Sequence, residues 1–180
     1  MTSTSRRPTT HRLTVRHGRV VALGAALVVA LAACGSGGGA AGGLGESLPS
    51  VEVSPLDGSE PVSLDTIAGP AVVNLWATWC VPCRTEMPEF EAVHRERGDE
   101  VRFVGVNIGD DADQATEFLD EVAVTFDQYL DPDGSVQTGL AATQLPVTVV
   151  IDADGEITTK VVGRMDQTAL EAAIDDAVGG

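Results

Sequence analysis

The stretch that decides the fold is Trp79-Cys80-Val81-Pro82-Cys83, which follows an apolar run from Ala71 to Trp76. Apart from Asn74 the run is apolar on both faces, as is typical of a central parallel strand that is covered on both sides. Pro82 suits the start of a helix because the amide hydrogen that it lacks would have no partner there. The pattern therefore predicts a buried strand followed by a helix that begins at Cys80, and hence an α/β fold.

The position of the two cysteines at the start of this helix indicates their chemistry. The first backbone N–H groups of a helix have no partner within the helix, and this end of the helix dipole is positive. A thiolate is stabilised there, so reactive cysteines in C-x-x-C motifs have pKa values of about 3.5–7.5 instead of about 8.5. The second sulfur lies one turn further on, within reach of a mixed disulfide. The motif therefore predicts a thiol–disulfide exchange site.

The N-terminus has the pattern of a secretion signal. A basic region from Arg6 to Arg19 precedes an apolar run from Val20 to Ala33. This run is shorter than the roughly 20 residues of a membrane-spanning helix and suits the hydrophobic region of a signal peptide. It ends in Leu31-Ala32-Ala33-Cys34, which resembles the bacterial lipobox, and this resemblance implies cleavage before Cys34 and lipidation of that cysteine. Ordinary cleavage at an Ala-x-Ala site and a permanent N-terminal anchor are the alternatives.

These features divide the chain into three predicted parts. Residues 1–33 are a lipoprotein signal peptide. Residues 34–46 comprise a lipid-anchored cysteine and a flexible tether, because the stretch 35–45 consists almost entirely of Gly, Ala and Ser. Residues 47–180 form one domain. We therefore expect this domain to be lipid-anchored at the extracytoplasmic face of the cell membrane.

The distribution of charge limits the kinds of partner. Five of the 11 basic residues precede Val20, whereas all 27 acidic residues lie at or after Glu46. The part after the signal peptide is therefore strongly acidic and has no basic patch that could meet phosphates, so we expect no nucleic-acid partner. The acidity favours either cationic partners or simply a well-solvated surface.

The remaining patterns predict a sheet with helices on both faces. A β-hairpin is expected over 47–63 and a short helix over 63–69. An extended segment begins at Thr125. The other predicted strands are 71–76, 101–107, 146–151 and 156–162, of which the last two form a hairpin, and the other predicted helices are 80–97, 110–121, 135–143 and 166–178.

In this order and spacing the motifs resemble the thioredoxin superfamily and, within it, the membrane-anchored thiol–disulfide oxidoreductases of the TlpA/ResA type. The resemblance implies a thioredoxin-like fold, with a central mixed sheet flanked by helices and an N-terminal β-hairpin extension. It spans Ser47 to the C-terminus and is carried by these stretches: Asn74 to Pro88, Val104 to Asn107, Leu130 to Gly134, Gln144 to Thr148 and Ile151 to Gly155.

The resemblance also implies roles for individual residues. Cys80 is the exposed nucleophile and Cys83 the resolving thiol, which breaks the mixed disulfide formed at Cys80. Pro146 matches a cis-proline that packs against the disulfide, where the Leu145 backbone is free to pair with a substrate strand. Trp79 is expected at the rim of the site, where it packs against the domain or contacts partners.

Glu86 matches an acidic residue of the same group, three positions after the second cysteine. This spacing places it on the helix face next to Cys83, where a partly buried carboxylate could accept or relay the Cys83 proton. Asn74 lies where ordinary thioredoxins carry a buried Asp, and this difference favours Glu86 as the proton-handling group. The alternative is a solvated Glu on the helix surface.

We expect no cofactor besides the redox-active disulfide Cys80–Cys83 and no metal, because a structural zinc site needs four ligands. The expected partners are protein disulfides or dithiols and a membrane electron donor, and the expected state is a monomer. The resemblance favours a reductant, for example of apocytochrome c thiols, although an oxidant would share every motif.

Two further alternatives remain. A thiol peroxidase on the same fold would carry Pro-x-x-x-Thr/Ser-x-x-Cys, whereas Thr78 stands two positions before Cys80 and the proline is absent. A non-enzymatic binding module with a structural disulfide would not need its cysteines at a helix start.

Overall fold

One seven-stranded mixed sheet runs through residues 42–179, the part of the chain that the computed structural model describes. Its strands are β1 (Glu52–Pro55), β2 (Val62–Ser63), β3 (Ala71–Trp76), β4 (Arg102–Ile108), β5 (Asp127–Asp131), β6 (Val147–Ile151) and β7 (Ile157–Val162). The helices are α1 (Val81–Arg97), α2 (Ala112–Val122), α3 (Ser135–Gly139) and α4 (Gln167–Val178), with a 3-10 turn at Leu64–Thr66.

The strand order, β2-β1-β5-β4-β3-β6-β7, places β3 near the centre of the sheet. β3 is parallel to β4, with Trp76 opposite Asn107, and antiparallel to β6, with Leu75 opposite Val147. The carboxyl ends of β3 and β4 therefore lie beside the beginning of β6 at one end of the sheet. The helix α1 starts at this end.

The core lies in two layers, because β3 is apolar on both faces as predicted. Val72 and Trp76 pack with α1, α2 and α4 on one side. Val73 and Leu75 point to the other side, where α3 and the N-terminal part of the domain cover the sheet. All six residues of β3 are buried. The thioredoxin-like α/β architecture inferred from the sequence is confirmed.

Four local predictions need adjustment. The N-terminal hairpin is confirmed, but β1 also pairs with β5, so the extension is part of the main sheet. The extended segment predicted from Thr125 is β5, a parallel strand beside β4. The short helix expected over 63–69 is only a 3-10 turn, and the helix expected over 135–143 ends at Gly139.

Residues 42–46, which precede the predicted boundary at Ser47, contact the rest of the domain. The Gly45 N–H donates to the Ile157 carbonyl at 2.8 Å, and the Ile157 N–H donates to the Glu46 carbonyl at 2.8 Å. Gly42 is buried with φ of +106°, and a Cβ there would lie 2.7 Å from the Leu140 side chain, so only glycine fits. Residues 42–46, predicted as tether, are therefore docked along the edge of β7.

The predicted signal peptide, the predicted lipidation site Cys34 and the tether up to residue 41 lie outside the described residues. Within residues 42–179, no helix combines the length and the apolar character that a membrane span requires.

Candidate active site

The two cysteines of the C-x-x-C motif form a disulfide at the start of α1, with their Cα atoms 5.3 Å apart. Cys80 is the N-cap residue, and its sulfur accepts a hydrogen bond from the Cys83 N–H at 3.3 Å. This contact places the Cys80 sulfur beside the unpaired N–H groups of the first turn, where a thiolate is stabilised.

The Cys80–Cys83 disulfide is covered more than the sequence suggested. The resemblance implied an exposed Cys80, but this residue is only 4% exposed. Its side chain packs into the core layer beneath α1. Cys83 is fully buried at 0% exposure. The remaining access is on the side of Cys80, so that sulfur is the one a partner can reach first.

A tight turn leads into the disulfide and presents apolar side chains to solvent. The Cys80 N–H donates to the Ala77 carbonyl at 3.1 Å, which closes the turn 77–80. Trp79 lies at a central position of this turn and is 66% exposed, and Val81 in the first turn of α1 is 72% exposed. Two large apolar side chains thus flank Cys80 in sequence and are exposed to water.

Glu86 is fully buried on α1, so its interpretation as a solvated surface residue is wrong. Its Oε1 accepts a hydrogen bond from Asn74 Nδ2 at 2.9 Å, and its Oε2 accepts one from the Met165 N–H at 3.0 Å. Burial raises the pKa of Glu86 to about 7, while the hydrogen bonds from Met165 and Asn74 and the nearby Arg164 charge counteract part of that rise. A carboxyl group with this pKa exchanges protons near neutral pH.

Asn74 links this carboxylate to the centre of the sheet. It lies on β3 directly opposite Thr148 of β6, and its Nδ2 also approaches Thr148 Oγ1 at 3.2 Å. Sequence reasoning missed Thr148, although a hydroxyl within the otherwise apolar run of β6 is a readable signal. The hydrogen bond from Met165 to Glu86 has no such signal in the sequence, because a backbone N–H donates it.

The Leu145–Pro146 peptide bond is cis, as the resemblance implied. Pro146 is buried, and its carbonyl accepts a hydrogen bond from the Gly163 N–H at 2.8 Å, which holds the end of β7 beside it. Leu145 is half-buried, and within residues 42–179 its peptide group has no backbone partner outside the strand ladders. The structure thus provides a backbone edge at the same end of the sheet as the disulfide.

A disulfide at the N-terminus of a helix that packs on a thioredoxin-like sheet, with a buried carboxyl group on the same helix, is the arrangement of a thiol–disulfide oxidoreductase. Comparison with known proteins gives the family. Residues 44–160 match the AhpC/TSA family, and the chain belongs to it.

Curated relatives and solved structures agree on the class of chemistry. The thiol:disulfide interchange protein HelX of Rhodobacter capsulatus is 30% identical over 139 residues, covering 76% of this chain and 77% of HelX. The thiol–disulfide oxidoreductase ResA of Geobacillus thermodenitrificans is 27% identical over 135 residues, covering 73% of this chain and 76% of ResA. The DsbF structure from Mycobacterium tuberculosis shares 33% identity at a TM-score of 0.65, covering 71% of this chain and 95% of its own.

Proposed function

We propose that this protein is an extracytoplasmic reductant that exchanges disulfides with partner proteins through Cys80 and Cys83. The observation that carries the proposal is the pairing of a disulfide at the start of α1 with a buried carboxyl group, Glu86, whose pKa is raised to about 7. A purely structural disulfide needs neither the helix N-terminus nor an adjacent group that titrates near neutral pH.

In the proposed reaction the dithiol form attacks a substrate disulfide. The Cys80 thiolate forms a bond to one substrate sulfur, and the other substrate sulfur leaves as a thiolate that takes up a proton. The Cys83 thiolate then attacks the Cys80 sulfur and releases the second substrate thiolate. The substrate gains two electrons, and the protein ends as the Cys80–Cys83 disulfide. A dithiol donor at the membrane reverses this oxidation.

Glu86 supplies the proton acceptor for the second step. Cys83 is fully buried, so its thiol has no direct route to solvent when it must become a thiolate. The Glu86 carboxylate on the same face of α1 takes that proton and returns it when the pair is reduced again. Its two hydrogen bonds, from Asn74 and Met165, hold the carboxylate in place during this exchange.

The substrate docks as an added strand. The Leu145 peptide group offers backbone donors and acceptors, Pro146 keeps the segment against the disulfide, and Trp79 provides an apolar contact at the rim. This mode recognises a polypeptide with an accessible disulfide and does not need a particular sequence. Apocytochrome c, whose haem-binding cysteines must be reduced, is a substrate of this kind.

The N-terminal sequence supports the proposed location. The basic and apolar regions and the lipobox-like Cys34 support export and lipid anchoring. Cysteines outside the cytoplasm are otherwise oxidised, so a reductant there needs electrons from a membrane donor. We propose a monomer without cofactor or metal.

Trapping of mixed disulfides tests the proposal. In the full-length protein, Cys83→Ser should leave Cys80-linked mixed disulfides that dithiothreitol releases, and Cys80→Ser should abolish reduction of a protein disulfide such as that of insulin. Retained turnover by Cys80→Ser would refute the site. Wild-type protein that consumes hydrogen peroxide but leaves insulin oxidised would show a peroxidase instead, although the Thr78 hydroxyl is already committed to Asp110, at 2.9 Å.

A further inference from the structure

Asp110 is a buried carboxylate at the same end of the sheet as the disulfide, and the reaction described above does not use it. It lies between β4 and α2 and is 8% exposed. Its Oδ2 accepts hydrogen bonds from the Thr78 N–H at 2.7 Å and from Asn107 Nδ2 at 2.8 Å, and its Oδ1 accepts one from Thr78 Oγ1 at 2.9 Å. None of the ion pairs within residues 42–179 includes Asp110.

A buried anion that is held by neutral donors alone is costly unless every oxygen is well bonded. Asp110 meets this condition in part because Thr78 donates to its carboxylate from both the backbone N–H and the side-chain hydroxyl. Asn107, the third source, lies on β4 directly opposite Trp76 of β3, and its Oδ1 in turn accepts from the Asp110 N–H at 3.2 Å. The carboxylate is thus fixed to the sheet on one side and to Thr78 on the other.

Thr78 is a central residue of the turn 77–80 that leads into the disulfide. With its N–H and its hydroxyl both bound to Asp110, this turn cannot rotate without breaking two charge-assisted hydrogen bonds. The next residue is Trp79, whose side chain is 66% exposed. The Thr78–Asp110 contact therefore fixes the backbone from which the Trp79 side chain projects, whereas packing of the exposed indole itself contributes little.

An exposed indole held by a rigid turn beside a reactive disulfide is suited to contact a large apolar partner surface. Fixing it in advance lowers the entropy that docking must overcome. A small disulfide makes no use of this contact, because it needs to reach only the Cys80 sulfur.

We propose that Asp110 is a positioning residue that, through Thr78, holds Trp79 in place for protein substrates, so that the site favours disulfides within polypeptides over small disulfides. The inference rests on the proposed function, since it assumes exchange with protein disulfides at Cys80. Asp110 takes no part in the bond changes.

The experiment compares two substrates in the full-length protein, insulin and hydroxyethyl disulfide. Asp110→Asn and Thr78→Val should raise KM for insulin by about 5- to 10-fold, which corresponds to about 1–1.4 kcal/mol, the size of one lost hydrogen bond. The rate with hydroxyethyl disulfide should stay within about twofold of wild type. Thr78→Ser keeps the hydroxyl, so its KM for insulin should stay close to that of the wild type. Asp113→Asn, an exposed carboxylate in the first turn of α2, is the charge-matched control.

A double-mutant cycle with Trp79→Ala decides whether Asp110 acts through the indole. Trp79→Ala should raise KM for insulin by a similar factor, and adding Asp110→Asn to it should change KM no further. Additive effects would overturn the inference, as would an equal loss with both substrates. Wild-type protein that fails to reduce insulin would refute the proposed function itself, whereas normal wild-type activity with an unaltered Asp110→Asn variant would refute only the inference.

Discussion

Asn74 Nδ2 donates a hydrogen bond to Glu86 Oε1 over 2.9 Å in the interior of the domain, so the central strand and the active-site helix meet through one amide and one carboxyl group. Both side chains are at most 1% exposed. The carboxyl group that we assign to proton handling is therefore shielded from bulk water, and its properties are set by a few identifiable neighbours.

The pH dependence of disulfide exchange should depend on Glu86. Burial raises the pKa of Glu86 to about 7, and the carboxylate form accepts the Cys83 proton, so the rate of the resolving step should rise as pH increases through about 7. Glu86→Gln should remove this rise. Stopped-flow reduction of insulin between pH 5 and pH 9 measures it. Glu96→Gln, an exposed residue of α1, serves as the control, and an identical pH profile for Glu86→Gln would contradict the role.

Glu86 should also make stability depend on pH. Because its folded-state pKa is raised from 4.5 to about 7, the folded state binds the extra proton between these values, and the contribution to stability is full below pH 4.5. This contribution is lost as pH rises through about 7 and amounts to about 3 kcal/mol. Urea unfolding of oxidised wild type and Glu86→Gln at pH 4.5 and pH 8 tests this. A difference between the two proteins that stays constant with pH would contradict it.

Removal of the Asn74 amide should raise the pKa of Glu86 further. The hydrogen bond from Asn74 favours the ionised form, so Asn74→Ala should move the rise in the kinetic pH profile to higher pH. Thr148→Val loses a group that contacts Asn74 but not Glu86, and its shift should be smaller. The same stopped-flow profile serves for both variants. A shift to lower pH in Asn74→Ala would show that the hydrogen bond does not favour the carboxylate.

The reduction potential should be that of a reductant. We expect the reduction potential of the Cys80–Cys83 couple to be closer to that of thioredoxin, about −270 mV, than to that of strong periplasmic oxidants, about −120 mV. Equilibration of the full-length protein with glutathione or dithiothreitol buffers gives this value. A potential near −120 mV would instead support the disulfide-forming alternative.

The docking of residues 42–46 should depend on Gly42. Its positive φ and the 2.7 Å approach of an added Cβ to Leu140 predict that Gly42→Val releases this segment from β7. Hydrogen exchange at the amides of Gly45 and Ile157 should then accelerate, while the free energy of unfolding falls by only about 1 kcal/mol. Leu44→Ser, at an exposed position, is the control. Unchanged protection in Gly42→Val would show that the glycine is not required.

The sequence predicts those parts of the site whose residue types are themselves the signal. The C-x-x-C motif after an apolar strand, and a carboxylate one helical turn beyond it, identify the disulfide and Glu86. The second hydrogen bond to Glu86 comes from the backbone N–H of Met165, which is distant in sequence and gives no signal in its residue type. Asp110 lies in an acidic stretch at the start of a helix, where the sequence predicts exposed residues. No sequence pattern therefore indicates its contact with Thr78.

The same limit explains the N-terminal boundary. Residues 42–46 are mostly glycine and pair with β7 through backbone atoms, so composition alone indicates a tether. The sequence predicts β5 only in part, because the strand begins and ends with Asp127 and Asp131, and aspartate is disfavoured in strands. Asp131 is buried, and its carboxylate accepts hydrogen bonds from the N–H groups of Ser135 and Val136 at the start of α3, which a strand pattern does not reveal.

Lys160 is the only lysine in the chain, and its ammonium group donates to the carbonyls of Gly42 and Leu140. An amine-reactive reagent therefore has a single side-chain target, and that target is occupied while the N-terminal segment is docked. The rate of acylation at Lys160 thus reports whether residues 42–46 are docked on β7 in the native protein. Lysine chemistry, usually too unselective to interpret, becomes a site-specific probe in this molecule.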